Sequence, residues 1–190
     1  MKPSLNFSPQ LLLRAQGSRL GMKALLLDVD GVLTDGRLYI GEHGEQFKAF
    51  STLDGHGLKM LQAAGVAVAV ITGRDSPAVR RRVQDLGIAH ACYGIEDKAA
   101  AANALLQQQR WDWADVAAMG DDWPDLPLLT RAGLACAPPN AHVEVRAVAH
   151  HITQAAAGYG AVREVSDLLL MASGHYARRL HEHHHSLDVR

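Results

Sequence analysis

Cysteine is scarce in this 190-residue chain: Cys92 and Cys136 stand far apart, each inside an apolar segment. Two isolated thiols rule out a disulfide framework and read as reduced core residues suited to cytosol, there for packing and not for chemistry. Surplus charge is lacking too, since the formal net charge of −1 leaves no basic field for nucleic acid. No run approaches the roughly 18 apolar residues that span a bilayer, so a soluble protein is expected. The cluster Leu11-Leu12-Leu13 behind Lys2 is interrupted by Arg14 and Gln16, which leaves it too short for the apolar region of a signal peptide. What is plentiful is apolar residue, 48% of the chain, enough for one substantial core and not for a second full domain.

Ser8-Pro9 followed by residues 10–18 has the cap and first-turn proline of an N-terminal helix that precedes the core proper. From Met22 onward, apolar strand segments (24–29, 66–71, 88–93, 116–119, 134–137) alternate with helical patterns (57–64, 76–86, 98–109, 124–132, 142–147, 162–172). Alternation of this kind implies an α/β domain, a three-layer Rossmann-like arrangement around a mainly parallel sheet, with ligands at the strand C-termini. One insertion breaks the rhythm. Arg37-Leu38-Tyr39-Ile40 and Glu45-Gln46-Phe47-Lys48-Ala49-Phe50 alternate in polarity around Gly41-Glu42-His43-Gly44, which predicts a β-hairpin flap over 37–50 that is too small to be a cap domain. A lone hairpin is marginal and its edges want partners, so pairing with the same element of other subunits is expected, against the plainer reading of an exposed flap. The resulting division is an extension over 1–21, a domain over 22–174 and a His-rich tail over 175–190.

The chemistry concentrates where strands end. Asp28-Val29-Asp30-Gly31-Val32-Leu33-Thr34-Asp35 follows the apolar run Ala24-Leu25-Leu26-Leu27, and residues two apart in extended chain point the same way, so Asp28 and Asp30 can meet at one strand tip. Two ionised carboxylates there call for a cation or a shared proton, and oxygen ligands beside a short Gly turn favour Mg²⁺. That is the logic of phosphoryl transfer to an aspartate. Asp-x-Asp-Gly alone is equally a strand-terminating turn. Three later segments tip the balance: Val70-Ile71-Thr72-Gly73-Arg74, then Lys98 at the start of a helical run, then Met119-Gly120-Asp121-Asp122-Trp123-Pro124-Asp125, whose three carboxylates exceed the one that helix capping needs.

The ordered set DVDGVLTD, ITGR, Lys98 and GDDWPD resembles the four motifs of the haloacid dehalogenase superfamily of aspartate-nucleophile phosphatases. With the hairpin, Asp54-Gly55-His56-Gly57 and Gly158-Tyr159-Gly160-Ala161-Val162-Arg163-Glu164, the likeness runs over roughly residues 22–172 and is to the capless 3-deoxy-D-manno-octulosonate 8-phosphate (KDO 8-phosphate) phosphatases. It implies a cytoplasmic, Mg²⁺-dependent homotetramer that supplies KDO for lipopolysaccharide, assembled through its hairpins. By matching position, Asp28 would be the nucleophile and Asp30 the acid and base. Asp28, the backbone carbonyl of Asp30, and Asp121 would hold Mg²⁺. Thr72 and Lys98 would grip the phosphoryl oxygens, as a hydroxyl and a point-charge cation suit that group's charge. Asp125 would orient a metal-bound water or Lys98, and Asp122 would support them. Substrate contacts would come from Ser51, Thr52, Leu53, Asp54, Gly55, Lys59, Arg74 and Arg82.

Departures from the family pattern bear on the substrate. Ser51-Thr52-Leu53-Asp54-Gly55 stands where relatives commonly have Asn-Val-Arg-Asp-Gly, Lys59 and Tyr159 replace frequent arginines, and Arg163 is retained for contact with substrate or partner. An Arg fork binds a carboxylate through two bonds, a geometry Leu lacks and Lys reproduces only in part. A nine-carbon ulosonate 9-phosphate phosphatase or a broad small-sugar phosphatase is therefore the alternative. Outside the enzymes stand a phosphoacceptor signalling domain, against which Asp30 argues as a base for fast turnover, and an oligomerisation module. His56 is expected to touch substrate or to be an ordinary loop histidine, and His181-Glu182-His183-His184-His185 to be a solvated terminus.

Overall fold

The computed structural model describes residues 6–18 and 21–185. Its centre is the apolar run anticipated from the sequence: Ala24–Leu27 (β1) is buried at every position, as a strand covered on both faces must be. Tyr39–Gly41 (β2) and Gly44–Phe47 (β3) form a separate antiparallel hairpin. Ala67–Ile71 (β4), His90–Cys92 (β5), Val116–Met119 (β6), Leu134–Ala137 (β7) and His151–Ile152 (β8) complete a sheet ordered β5-β4-β1-β6-β7-β8, with every neighbouring pair parallel. The chain winds from β1 through β4 to β5, then returns to the other side of β1 for β6, β7 and β8. The reversal of direction beside β1 leaves the crevice at strand C-termini where open α/β sheets bind ligands.

Helices cover both faces. Leu25, Leu27, Val68 and Val70 point to a layer made by Thr52–Ala63 (α2), Pro77–Leu86 (α3) and Ala161–Ala172 (α7), through Leu58, Leu61, Val83, Val165 and Leu168. Ala24, Leu26, Ala69 and Ile71 point the other way, to Lys98–Gln109 (α4), Leu126–Leu129 (α5) and Val143–Val148 (α6). Each fully buried Leu contributes about 1.5–3 kcal/mol relative to an exposed one, so the two-faced packing of β1 anchors the layers. This is the three-layer parallel architecture read from the sequence, and no cap domain is present among the described residues.

Four details differ from expectation. First, α2 begins at Thr52, five residues before the expected start, because Ser51 caps it by accepting the Asp54 N–H at 3.4 Å. Gly55 and Gly57 discourage a helical reading, yet they are needed: a β-carbon at either would run into Arg82 or into Arg163 and Ser166, so they allow α2 to press against α3 and α7. Second, β8 is a two-residue edge strand with no apolar pattern to announce it. Third, the His-rich tail is a helix, His175–His185 (α8), packed on α7, although His181, Glu182, His183 and His184 are exposed as expected of a solvated terminus. Arg179 donates from Nη2 to the Ala63 carbonyl at 2.9 Å, and the rings of His183 and His56 meet edge to face at 5.7 Å. His56 is thus a helical residue that faces α8. Fourth, the N-terminal helix, Pro9–Ala15 (α1), is more than an appendage: Ser8 caps it as expected, but Ala15 is buried and Leu11 and Leu12 pack on the α7 side of the core.

Candidate active site

Asp28 is the first residue after β1, and its N–H donates to the Met119 carbonyl of β6 at 3.1 Å. Asp121 lies one residue beyond the equivalent point of β6, so neighbouring strand ends deliver the two carboxylates side by side. Between them the backbone turns at Gly31, held at φ +87°; a β-carbon there would collide with the Asp121 carboxylate. Asp125 follows on a short 3-10 turn, Trp123–Asp125, and ligand atoms of Asp28, Asp121 and Asp125 all fall within 4.8 Å of one another. Its Oδ2 accepts the N–H of Asp121 at 3.0 Å and of Asp122 at 3.3 Å, which fixes the loop that carries the acids.

Lys98, the first residue of α4, enters from the next element with its side chain 5% exposed. Its Nζ lies 2.8 Å from Asp28 Oδ1 and 2.7 Å from Asp125 Oδ1. Burial works against its charge, but the facing Asp28 and Asp125 outweigh that and hold the ammonium above its usual range. One cation cannot balance three carboxylates. Burial and the charge of Asp125 push Asp28 up to about 6, while burial with the charges of Asp28, Asp125 and Asp122 pushes Asp121 up to about 7. An all-oxygen cluster short of positive charge is the donor set of a hard divalent cation. Thr72, buried at the end of β4, and Arg74 complete one wall of a cleft of about 570 Å³ lined also by Asp28, Asp30, Lys98 and Asp121.

The family model for haloacid dehalogenase-like hydrolases matches residues 94–165. The chain is 42% identical over 167 residues to the 3-deoxy-D-manno-octulosonate 8-phosphate phosphatase KdsC of Salmonella typhimurium, a match covering 88% of this chain and 87% of that protein. The chain belongs to the KDO 8-phosphate phosphatase family. A crystal structure of a probable YrbI family phosphatase from Pseudomonas syringae superposes with TM-score 0.87 at 44% identity, over 96% of this chain and 99% of that one. The Moraxella catarrhalis family member, solved with magnesium, phosphate and KDO, superposes with TM-score 0.86 at 36% identity, over 92% and 98%.

For a member of this family, the residues expected in the site divide into two groups. Asp28, Asp30, Thr72, Arg74, Lys98, Asp121, Asp122 and Asp125 share the cleft. Ser51, Thr52, Leu53, Asp54, Gly55, Lys59 and Arg82 do not line it within one chain. Asp54, on α2, is buried with its carboxylate against the start of α7. Burial raises its carboxyl, countered by the N–H groups of Arg163, which donates to Oδ1 at 2.7 Å, and of Gly160 and Val162. Arg82 donates from Nη2 to the Ser51 carbonyl at 3.0 Å and lies over Phe50. These two tie α2 to its neighbours. Leu53 and Tyr159 are exposed beside a larger cavity, about 770 Å³, between α1 and the start of α7, which holds hydrogen-bonded side chains such as His151 and Glu164 but not the clustered acids. Size alone points there; the clustered acids and the buried lysine line the smaller cleft.

Two residues that sequence reasoning passed over stand beside it. Lys48, just past β3, has its side chain 1% exposed and pairs with the carboxylate of Asp30 and with Glu45. Glu45 reaches Arg74 at 3.1 Å and accepts the Ser76 hydroxyl at 2.6 Å. A lone lysine in an alternating hairpin reads as solvated. The only sequence cue was the Glu45-x-x-Lys48 spacing next to an acid motif.

Proposed function

We propose that this chain hydrolyses KDO 8-phosphate to KDO and inorganic phosphate by way of an aspartyl phosphate on Asp28. The observation that carries the reading is the gathering of Asp28, Asp121 and Asp125 around Lys98 at the strand ends, in a family whose named members are KDO 8-phosphate phosphatases. The donor set fits Mg²⁺, with Asp28, the Asp30 carbonyl and Asp121 as its ligands; when bound, the ion offsets the charge of the carboxylates and of the phosphoryl oxygens. Asp28 attacks phosphorus, and the bond from phosphorus to the sugar oxygen breaks as Asp30 gives that oxygen its proton. Asp30 then takes a proton from the water that attacks phosphorus, the Asp28 ester bond breaks, and phosphate leaves. Thr72 and Lys98 hold the phosphoryl oxygens, and Asp125 holds Lys98.

The catalytic unit is residues 22–174, and it works in the cytoplasm as a homotetramer joined by its hairpins. Supporting this, Leu38, Ile40 and Phe47 are exposed on the hairpin, an apolar surface that a partner hairpin would cover. Ser51, Thr52, Leu53 and Lys59, which do not line the cleft of one chain, would meet substrate through such an assembly. A phosphate-release assay with Mg²⁺ across KDO 8-phosphate, a nine-carbon ulosonate 9-phosphate and hexose phosphates tests the reading. The expected result is preference for KDO 8-phosphate, with Asp28→Asn folded and at least about 10³-fold slower. Equal turnover of the hexose phosphates would overturn the substrate, and retained activity in Asp28→Asn would overturn the nucleophile.

A further inference from the structure

Asp28 and Asp30 are two residues apart, yet a different lysine holds each. Lys98, from α4, takes Asp28 together with Asp125. Lys48, from the hairpin, takes Asp30 through Oδ1, where the Thr34 hydroxyl also donates at 3.4 Å. Arg74 approaches the other oxygen, its Nε 3.7 Å from Oδ2. Glu45 closes the circuit: its Oε2 lies 3.2 Å from Lys48 and 3.1 Å from Arg74, and its Oε1 accepts the Ser76 hydroxyl. Two cations and two anions thus alternate in a ring that joins β3, the end of β4 and the start of α3 to the motif after β1.

We propose that Lys48 is a positioning residue for Asp30, and that the hairpin thereby completes the acid–base half of the reaction. The inference rests on the reading of Asp30 as proton carrier. A buried ammonium is retained only where its desolvation is compensated, and here both partners are carboxylates. Between them they fix where the Lys48 charge sits, and it in turn holds the Asp30 carboxyl clear of the Asp28, Asp121 and Asp125 cluster. A proton donor acts only within hydrogen-bond reach of the departing oxygen, so an Asp30 free to swing toward the cluster loses that position. Lys48 itself forms no bond and moves no proton; the proton passes from Asp30 to the ester oxygen as the phosphorus–oxygen bond breaks.

Dependence on the leaving group separates this role from a purely structural one. Alkyl phosphates need a proton on the departing oxygen, whereas 4-nitrophenolate leaves without one. In Lys48→Met, kcat for the parent's best sugar phosphate is expected to fall about 30- to 100-fold with KM within about twofold, while first-turnover release of 4-nitrophenolate from 4-nitrophenyl phosphate changes less than about threefold. Lys48→Arg should recover part of the loss, because the charge returns on a differently shaped head. Glu45→Gln, which leaves Lys48 in place, should give a smaller loss with the same leaving-group bias and stands in if Lys48→Met does not fold. Equal losses on both esters, or an unchanged kcat for the sugar phosphate, would overturn the inference. Asp30→Asn serves as the reference: if it turns over the sugar phosphate at the parent rate, the reading of Asp30 itself fails, whereas a slow Asp30→Asn beside an unbiased Lys48→Met removes only the role given to Lys48.

Discussion

Asp28 and Asp121 carry raised carboxyl values, about 6 and about 7, because burial and the charges of neighbouring carboxylates disfavour their charged forms. An acid whose folded value lies above its unfolded one binds more protons in the folded state, so stability is full at low pH and is lost as pH rises through the folded value. The metal-free protein should therefore lose on the order of 4 kcal/mol between pH 5 and pH 8. Mg²⁺ should restore more at pH 8 than at pH 5. Urea unfolding in chelator and in Mg²⁺, with Asp121→Asn as reference, checks this; a metal-free stability that is flat across the window, or one that Asp121→Asn leaves equally steep, would contradict it. At this scale the acids were legible because each ends an apolar strand, and their spacing is itself the signal. Lys48 and Glu45 were not, since their meaning depends on how the hairpin folds back, a long-range fact absent from local pattern.

Elements were legible where period and apolar content agreed. β1, β4 and β6 are unbroken apolar runs, and α4 and α7 begin close to where their patterns start. The misreadings have local causes. Gly55 and Gly57 argue against helix by propensity, and packing against α3 and α7 overrides them. The tail has the composition of a solvated segment, but α8 places Tyr176 on the core and joins α7 to the end of α2. Asp54 shows how a motif residue can hold two readings, one as a substrate contact and one as the acceptor for the first N–H groups of α7. As a helix cap, Asp54→Ala should lower stability by about 2 kcal/mol in chemical denaturation. Unchanged stability with only a raised KM would favour the substrate role alone.

For the molecule as a whole, the alternation of strands and helices specified the layers but not the company they keep. Ile40 is 64% exposed on a hairpin that Lys48 and Glu45 tie to the cleft by charge. Ile40→Asp should convert a tetramer to smaller species in light scattering, with the change confined to assembly size and not to thermal unfolding of the subunit. A parent that is monomeric at working concentration would remove the shared-hairpin arrangement. The sheet order has a further effect. Since β1 must seat between β4 and β6 before residues 28, 72, 98 and 121 share one cleft, a nascent chain that ends before β6 cannot present the full constellation. Assembly of the cleft therefore reports that the middle of the sheet has closed around β1, and a subunit in which β1 is misplaced is expected to lose the whole set of groups together.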